Sequence, residues 1–341
     1  MTTSIGGTTG ITFNDASVQN TAATGFGFKN RLINGNMALA QRATSATVTA
    51  GTAVPTASTG YPCVDRFFVY STGANVTAAQ VAGSGAIQNR LQITGAASVT
   101  AVGVGQRIEQ RNSYDMAGST ATLSVDLANS VLTTVTWTAN YATTADTFGT
   151  IGTPTKTQIA TGTFTVTSTV TNFSAQISIP AVATTGVEIL FTVGAQTSGT
   201  FTVGNVQLEK GSTATSFDYR PYGTELALCQ RYYSKSYELT TALAAATTTG
   251  MVGGALGLAT IGGSMSSPFP VQMRTAPTMA FWDSAGTVSK VTGTTNGTTM
   301  TNNLSSSPNG PFNISQNNFW ITGNGTSTYA IFFHFAATAE L

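Results

Sequence analysis

Hydrophobic and polar residues alternate with a period of two along most of the chain between residues 29 and 220. In "TLSVDL" (122–127) Leu, Val and Leu alternate with Thr, Ser and Asp, and "FSAQISI" (173–179) repeats the pattern. Successive side chains of a strand point to opposite faces, so such runs, separated by Gly, Asn or Pro, predict half-buried strands. Further runs are "VLTTVTW" (131–137), "VEILFTV" (187–193) and "TFTVGNVQL" (200–208). The pattern predicts an all-β fold, an antiparallel sandwich or jelly roll.

One stretch follows a helical period instead, "TELALCQRYY" (224–233). Thr224 is a suitable N-cap, and Glu225 lies in the first turn, where the helix dipole favours a carboxylate. Four positions recur at the spacing i, i+3, i+4 and i+7 and would share one face: Leu226, Cys229, Gln230 and Tyr233.

The β pattern returns after residue 237, through "MAFWD" (279–283) and "YAIFFHF" (329–335), and predicts a second β domain. Residues 239–263 carry no charge, but Thr and Gly interrupt them throughout and large apolar residues are few. We interpret this stretch as two weak strands and turns, and we expect no membrane insertion.

Charged residues are only 8% of the 341 residues, against about 25% in an ordinary soluble protein. Thr, Ser and Asn therefore build the solvent faces, and the 41% of hydrophobic residues suffices for a core. The net charge of +1 and the lack of a basic patch exclude a nucleic-acid partner. Cys63 and Cys229 are far apart in sequence and form no disulfide framework, so we expect free thiols in a reducing compartment.

The first 28 residues, beginning "MTTSIGGTTG", have neither the positive start nor the apolar stretch of a signal peptide. They are too polar and too short to bury a core of their own. We expect a partner or an oligomeric interface to hold them.

Candidate catalytic and metal-binding residues are sparse. The single His334 lies between two phenylalanines of the closing strand, without a recognisable nucleophile elbow, and no His, Cys and carboxylate cluster accompanies it. Asp65 beside Arg66, and Glu109 beside Arg107 and Arg111, suggest local ion pairs or strand-end contacts. We therefore predict no catalytic, cofactor-binding or metal-binding residue, and no enzyme.

Four large aromatic residues have two interpretations. They fill the core, as most aromatic side chains do, or they stack on sugar rings at the surface. The four candidates are Trp137, Tyr141, Trp282 and Trp320.

Charge and tyrosine concentrate in "FDYRPYGTELALCQRYYSK" (217–235), in contrast with the rest of the chain. This stretch and several others resemble a family of bacteriophage tail-fibre-like virion proteins. The 217–233 motif is specific and the other similar segments moderately so. They are "GITFNDASVQNTA" (10–22), "KNRLINGNMALAQR" (29–42), "YPCVDRFFVY" (61–70), "GQRIEQRN" (105–112) and "VGNVQLEKGSTATSFDYRPYGTELALCQRYYSKSYE" (203–238).

Departures from the family pattern are few. Asn14 and Ala16 replace the usual Pro and Gly, Phe67 or Phe68 stands where Trp is common, and Asp218 replaces Glu. Towards the C-terminus, "FPVQMRTAPTMAF" and "ATAEL" are similar more loosely.

The resemblance implies four parts. Residues 1–28 would attach to the virion, with Ile11, Phe13 and Val18 as candidate contacts. Residues 29–220 would form a jelly roll similar to carbohydrate-binding modules. Residues 221–236 would form a linking helix, and residues 237–341 a C-terminal β-sandwich domain.

The resemblance also suggests a use for the charged motif. Five residues would fix one domain against the next, since charge strengthens hydrogen bonds where rigid units meet: Asp218, Arg220, Tyr222, Glu225 and Arg231. The alternative is that this motif binds a ligand. Members of the family are usually trimeric, and Leu226, Cys229 and Tyr233 are candidates for the intersubunit surface.

These features predict a structural phage protein located in the virion after assembly in the bacterial cytoplasm. It would be a fibre or spike subunit that forms a homotrimer, contacts other virion proteins through its N-terminus and contacts a host-surface glycan through its β domains. The alternatives are a head fibre, collar or baseplate decoration without a receptor, a polysaccharide depolymerase, and a secreted lectin, which the missing signal peptide opposes.

Overall fold

The computed structural model describes residues 11–12, 18–19, 28–83, 89–255, 264–294, 300–305, 311–322 and 330–341. Near the N-terminus β1 (Ile11–Thr12) pairs antiparallel with β2 (Val18–Gln19). Of the three predicted attachment residues, Ile11 and Val18 lie on this small hairpin. Phe13 lies outside the described residues.

Two antiparallel sheets of five and six strands form the first β unit. The five-stranded sheet has the order β10 (Lys156–Thr165), β9 (Thr134–Ala142), β12 (Val187–Val193), β7 (Ala101–Ile108) and β4 (Phe68–Thr72). The six-stranded sheet has the order β11 (Thr171–Ser178), β8 (Thr120–Asn129), β13 (Thr200–Lys210), β6 (Asn89–Thr94), β5 (Val76–Ala82) and β3 (Ser45–Val48).

The core of this unit lies between the two sheets. Leu123, Val125 and Leu127 of β8 are fully buried there, together with Val104 of β7 and Phe191 of β12. Burying each such side chain stabilises the folded state by about 1.5–3 kcal/mol relative to leaving it exposed. The alternation read from the sequence thus places one face of each strand in a shared interior, as a sandwich requires.

A second, smaller β unit follows. Its six-stranded sheet is centred on β21 (Ala330–Thr338), and it faces a two-stranded sheet across a core rich in phenylalanine, including Phe319, Phe333 and Phe335. The other strands of the larger sheet are β14 (Tyr233–Lys235), β15 (Val252–Ala255), β17 (Thr278–Trp282), β18 (Val291–Thr294) and β19 (Met300–Leu304). The two-stranded sheet comprises β16 (Ser264–Pro268) and β20 (Asn318–Thr322).

Helices are few in the described part of the chain. They are α1 (Gln110–Ser113), a 3₁₀ turn (Tyr114–Met116) and α2 (Tyr222–Gln230). The predicted all-β class, with sandwich units and a short linking helix, is confirmed.

The linking helix differs in detail from its prediction. It begins at Tyr222 with Pro221 as N-cap, so Thr224 lies inside the first turn rather than before it. It ends at Gln230, and Tyr233 belongs to β14, which pairs with β21 of the C-terminal sheet. The chain needs an extended residue there to join that sheet, and tertiary pairing overrides the helical spacing. The limits of the four predicted domains stay predictions.

Candidate functional site

Five segments of the chain converge between the two β units, in a region that we call the joint. They are residues 28–42, 61–68, 105–109, 217–235 and 339–341. Four of them carry the motifs that resemble tail-fibre-like proteins, and the fifth is the end of the sequence, "AEL". The joint is the candidate site because it gathers most of the buried charge of the protein.

The segment before α2 binds the chain at residues 29–32, just ahead of the first sandwich. The Asp218 carboxylate accepts the backbone N–H of Lys29 at 2.8 Å and of Asn30 at 3.3 Å. The guanidinium of Arg220 pairs with Glu225 at 3.0 Å and donates to the carbonyl of Leu32 at 3.1 Å. These charge-assisted hydrogen bonds fix the path of the chain before the helix.

Arg231, at the end of α2, connects the two β units. Its Nε and Nη2 each donate to one oxygen of Glu109 at 3.0 Å, a bidentate arrangement, and its Nη1 donates to the carbonyl of Gln272 at 3.4 Å. Burial alone would raise the pKa of Glu109, but the hydrogen bonds from Arg231 outweigh it and hold the pKa below its usual value. Glu109 is therefore ionised when paired.

The C-terminal residues supply the other partners. Glu340 pairs with Arg66, and it also accepts from Arg42 at 3.1 Å. Burial would lower the pKa of Arg66, but the adjacent Glu340 carboxylate raises it above its usual value. The guanidinium of Arg66 lies 3.4 Å from the ring centroid of Tyr232, which adds a cation–π contact.

Arg107 completes the network on the side of the first sandwich. Its Nε donates to Glu188 at 2.9 Å, and its Nη1 donates to the carbonyl oxygen of Leu341 at 2.8 Å. The hydroxyl of Tyr61 donates to the same oxygen at 2.9 Å. The last residues of the sequence are thus buried against the first unit.

Of the two alternatives predicted for these charges, the local ion pairs do not form, whereas a strand-end position fits Glu109, which directly follows β7. Asp65 does not pair with Arg66, and Glu109 pairs with neither Arg107 nor Arg111. Three of these charges pair instead with residues far away in sequence, because the joint brings distant segments together: Arg66 with Glu340, Arg107 with Glu188, and Glu109 with Arg231.

Of the five residues predicted for the interdomain joint, four make the contacts described above: Asp218, Arg220, Glu225 and Arg231. Only Arg231 among them contacts both units directly. Tyr222 is 55% exposed at the first turn of α2, and its ring lies outside the network.

The three residues predicted for an intersubunit surface lie against the interior of their own chain. Cys229 and Tyr233 are buried, and Leu226 is partly buried against the same cluster as Cys229, which includes Ile33 and Phe148. The surface that these side chains would offer to a second copy is already largely covered.

The four glycan-stacking candidates divide by burial. Trp137 is 7% exposed and packs near Phe164, and Tyr141 is half-buried against the same core. Trp282 is also 7% exposed and meets Tyr237 edge to face. Trp320 is 38% exposed on β20 and offers the most ring surface of the four.

A cleft of about 350 Å³ opens beside the joint, between the first unit and the C-terminal sheet. We call it the cleft. It is lined by Arg42, Ser58, Tyr61, Tyr233, Leu243, Thr278, Met279, Ala280, Trp282, Ala336 and Thr338. Another cavity, of about 430 Å³, lies beneath the loop around residues 53–62 and is lined mostly by Val, Thr, Ala and Pro.

The nucleophiles near these features are held in unreactive states. Both cysteines are free and buried. Burial raises the pKa of the Cys63 thiol to about 11 and that of Cys229 well above its usual value, so both stay protonated at neutral pH. His334 is buried, with Nδ1 3.2 Å from the hydroxyl of Ser236 and Nε2 3.1 Å from the carbonyl of Thr247. Burial lowers the pKa of this histidine and favours its neutral form.

Sequence reasoning did not single out Gln41, Arg42, Tyr61, Glu188 or Glu340 for the joint. The signal available for Glu340 was its place in "ATAEL", a segment similar to the family ending. Among the described residues no group of His, Cys, Asp and Glu could hold a metal ion, and no helix has the length and apolar character to cross a membrane.

No protein-family model and no curated protein matches the chain. Among solved structures it is similar to a protein described under "CBM4 structure and function", at 15% identity and a TM-score of 0.35 over 52% of this chain and 98% of that one. A putative sugar binding protein from Bacteroides thetaiotaomicron gives 13% identity and a TM-score of 0.34 over 53% of this chain and 100% of that one.

Tailspike protein 4 of bacteriophage CBA120, as its enzymatically active domain, gives 17% identity and a TM-score of 0.31 over 47% of this chain and 21% of that one. Likeness at this level identifies neither a family nor a ligand for this chain.

Proposed function

We propose that the chain is a non-enzymatic structural subunit of a bacteriophage particle, a fibre or spike protein. Its N-terminus would attach to the virion, and its β units would project towards the host surface. One observation carries the proposal: the separate motifs that resemble tail-fibre-like proteins meet in the joint. A projecting subunit must keep its units in a fixed orientation, and paired buried charges with defined geometry suit that task.

We also propose that the projecting units recognise a host-surface glycan. The outer surface is rich in Thr, Ser and Asn, and Trp320 offers an exposed ring on β20. Repeated copies of a weak site on one particle would bind with avidity, so no single site needs high affinity.

A homotrimer is part of the same proposal. Its interface would use exposed side chains, since Cys229 and Tyr233 are buried within the subunit. Light scattering coupled to size-exclusion chromatography should give three times the 35.0 kDa mass of one chain. A monomer at all protein concentrations would contradict the trimer.

The second candidate is a head fibre, collar or baseplate decoration that binds no receptor. The burial of Trp137 in the core of the first unit favours it, because it removes one of the four rings that a glycan would stack on. Virion attachment is common to both candidates, and host binding separates them.

The test is adsorption of the labelled full-length chain to a panel of bacterial strains, together with immunogold electron microscopy of phage particles. The full chain is needed because β21, near its end, is the central strand of the C-terminal sheet. We expect labelled particles and adsorption to the strains that the phage infects. Trp320→Ala should weaken adsorption, and Val182→Ala, at an exposed residue of the first unit, should not.

Labelled particles without adsorption of the protein would establish the decoration protein instead. Particles that carry none of the chain would overturn the virion assignment altogether.

A further inference from the structure

Two buried polar atoms beside the cleft have no hydrogen-bond partner. They are the hydroxyl of Tyr233 and Nη1 of Arg42. Tyr233 is only 4% exposed, and both residues line the cleft. Leaving a buried polar group unpaired costs about 1–3 kcal/mol, so folded proteins pair nearly all of them. Two such atoms beside one open cleft are groups to which a ligand bound there would supply partners.

The walls of the cleft combine apolar surface with hydroxyl groups. Trp282, Met279 and Leu243 give it a largely apolar lining. Ser58 and Thr278 are exposed members of the same lining and place hydroxyl groups near its mouth. A volume of about 350 Å³ falls within the usual range for small-molecule sites.

The charges around the cleft cancel. Arg42 lies 3.1 Å from Glu340 and 3.8 Å from Asp65, and Arg66 pairs with Glu340 on its other side. Two arginines thus face two carboxylates, which leaves no excess positive charge for an anion. An acidic sugar or a phosphate would have to compete with Glu340 for Arg42, so this balance favours a neutral ligand.

We propose that the cleft binds a neutral saccharide. The guanidinium of Arg42 donates to a sugar hydroxyl, the hydroxyl of Tyr233 makes a second hydrogen bond, and Trp282 forms part of the apolar wall against the C–H face of the ring. The inference rests on the proposed glycan recognition. It adds a second contact site, distinct from the ring of Trp320, beside the joint, where both β units contribute side chains.

The first test compares two single-hydroxyl deletions on a printed array of neutral and acidic glycans, followed by titration of the strongest neutral glycan. Tyr233→Phe removes the unpaired hydroxyl beside the cleft and should weaken binding about tenfold, the loss of one good hydrogen bond. It should leave the thermal midpoint of the free protein unchanged or raised, because that hydroxyl is unpaired. Tyr237→Phe is the control, since Tyr237 is buried nearby but does not line the cleft.

The second test closes the cleft without touching its polar atoms. Ser58→Trp, at an exposed position of the lining, should abolish glycan binding, and Ser168→Trp, exposed in the turn after β10, should not. Both variants should unfold at the wild-type temperature.

The outcomes separate the two proposals. If neutral glycans bind equally to wild type, Tyr233→Phe and Ser58→Trp, the proposal that the cleft is the binding site is overturned, while glycan recognition by the protein stands. Binding of acidic glycans alone overturns the assignment of a neutral ligand. If the wild-type protein binds no glycan on the array, both the saccharide site in the cleft and the proposed glycan recognition are contradicted.

Discussion

At the scale of single residues, the joint contains most of the charged side chains that this protein buries. Arg66 and Glu340 are each about 1% exposed and pair directly. Bringing two charges out of water is costly, and their attraction offsets that cost only when the geometry is good. Such a pair adds little to the free energy of unfolding. Removing one partner lowers that free energy strongly, because the other charge stays buried and unpaired.

Glu340→Gln should therefore lower the free energy of unfolding by about 3–5 kcal/mol, because it leaves Arg66 charged and buried without its counter-ion. Urea denaturation measures this. Asp115→Asn is the matched control: the Arg31–Asp115 pair is partly exposed, so its loss should cost less than about 1 kcal/mol. Equal effects of the two changes would contradict the assigned role of Glu340.

Asp65 makes stability depend on pH. Burial raises its pKa from 3.8 to about 6, against the lowering effects of Arg42 and Gln41. The folded state then binds this proton more tightly than the unfolded state. The stability contributed by protonated Asp65 is full below pH 3.8 and is lost as the pH rises through about 6, a change of about 3 kcal/mol.

The free energy of unfolding of wild type, minus that of Asp65→Asn, should thus fall between pH 4 and pH 7. Other groups act in the opposite direction. The lowered pKa of Glu109 removes stability as the pH falls below its usual 4.5, and the lowered pKa of His334 removes stability below its usual 6.5. Subtracting the free energy of unfolding of Asp65→Asn from that of wild type at each pH cancels the contributions of Glu109 and His334, which both proteins share. A flat difference across this range would show that the Asp65 pKa is not raised.

At the scale of elements, two glycines of strand β7 leave space into which aromatic rings of β4 pack. A Cβ on Gly103 would lie 2.0 Å from the ring of Tyr70, and one on Gly105 would lie 2.4 Å from that of Phe68. Both rings are buried, so neither can move aside. The strand "AVGVGQRI" therefore alternates its apolar side chains with gaps that the neighbouring strand fills.

Gly103→Ala should lower the free energy of unfolding by about 1–3 kcal/mol through overpacking against Tyr70. Gly194→Ala is the control, since a Cβ there would meet nothing within 4 Å. Its effect should be near zero or slightly stabilising, because alanine reduces the freedom of the unfolded chain. Thermal unfolding of the pair measures the difference, and equal midpoints would show that the Tyr70 ring can yield.

At the scale of the whole molecule, the joint makes the two β units depend on each other. Arg231 contacts Glu109 of the first unit and the carbonyl of Gln272 in the second. The end of the C-terminal unit returns to Arg107 and Tyr61 of the first. Opening the joint would expose buried charge on both sides, so the units should unfold together.

Calorimetry should show one cooperative transition for the wild type. Glu109→Gln should lower that transition and reduce hydrogen-exchange protection in Ala330–Thr338, while protection of Thr120–Asn129 persists. Arg31→Gln is the control, because Arg31 pairs with Asp115 within the first unit. Two separate transitions in the wild type would show that the joint does not couple the units.

Many strands of the molecule can be predicted from the local alternation of side chains, whereas the charge pairs of the joint cannot. The strands around 122–127, 173–179 and 187–193 were predictable because their side chains alternate within a few residues. The involvement of Asp218, Arg220, Glu225 and Arg231 in a joint followed from a resemblance in sequence. The pairing of Glu188 and Glu340 with arginines could not be predicted from local pattern, since they lie 81 and 274 residues from the arginines that they meet.

The sequence by itself determined the all-β class, the strands with clear alternation and the position of the linking helix, because each depends on the spacing of neighbouring side chains. Only the tertiary structure decided where Tyr233 stops being helical, which charges pair, and which tryptophans are buried. These outcomes depend on segments far apart in the chain, and the free energy of burying a charge or a ring is set by whichever segment covers it.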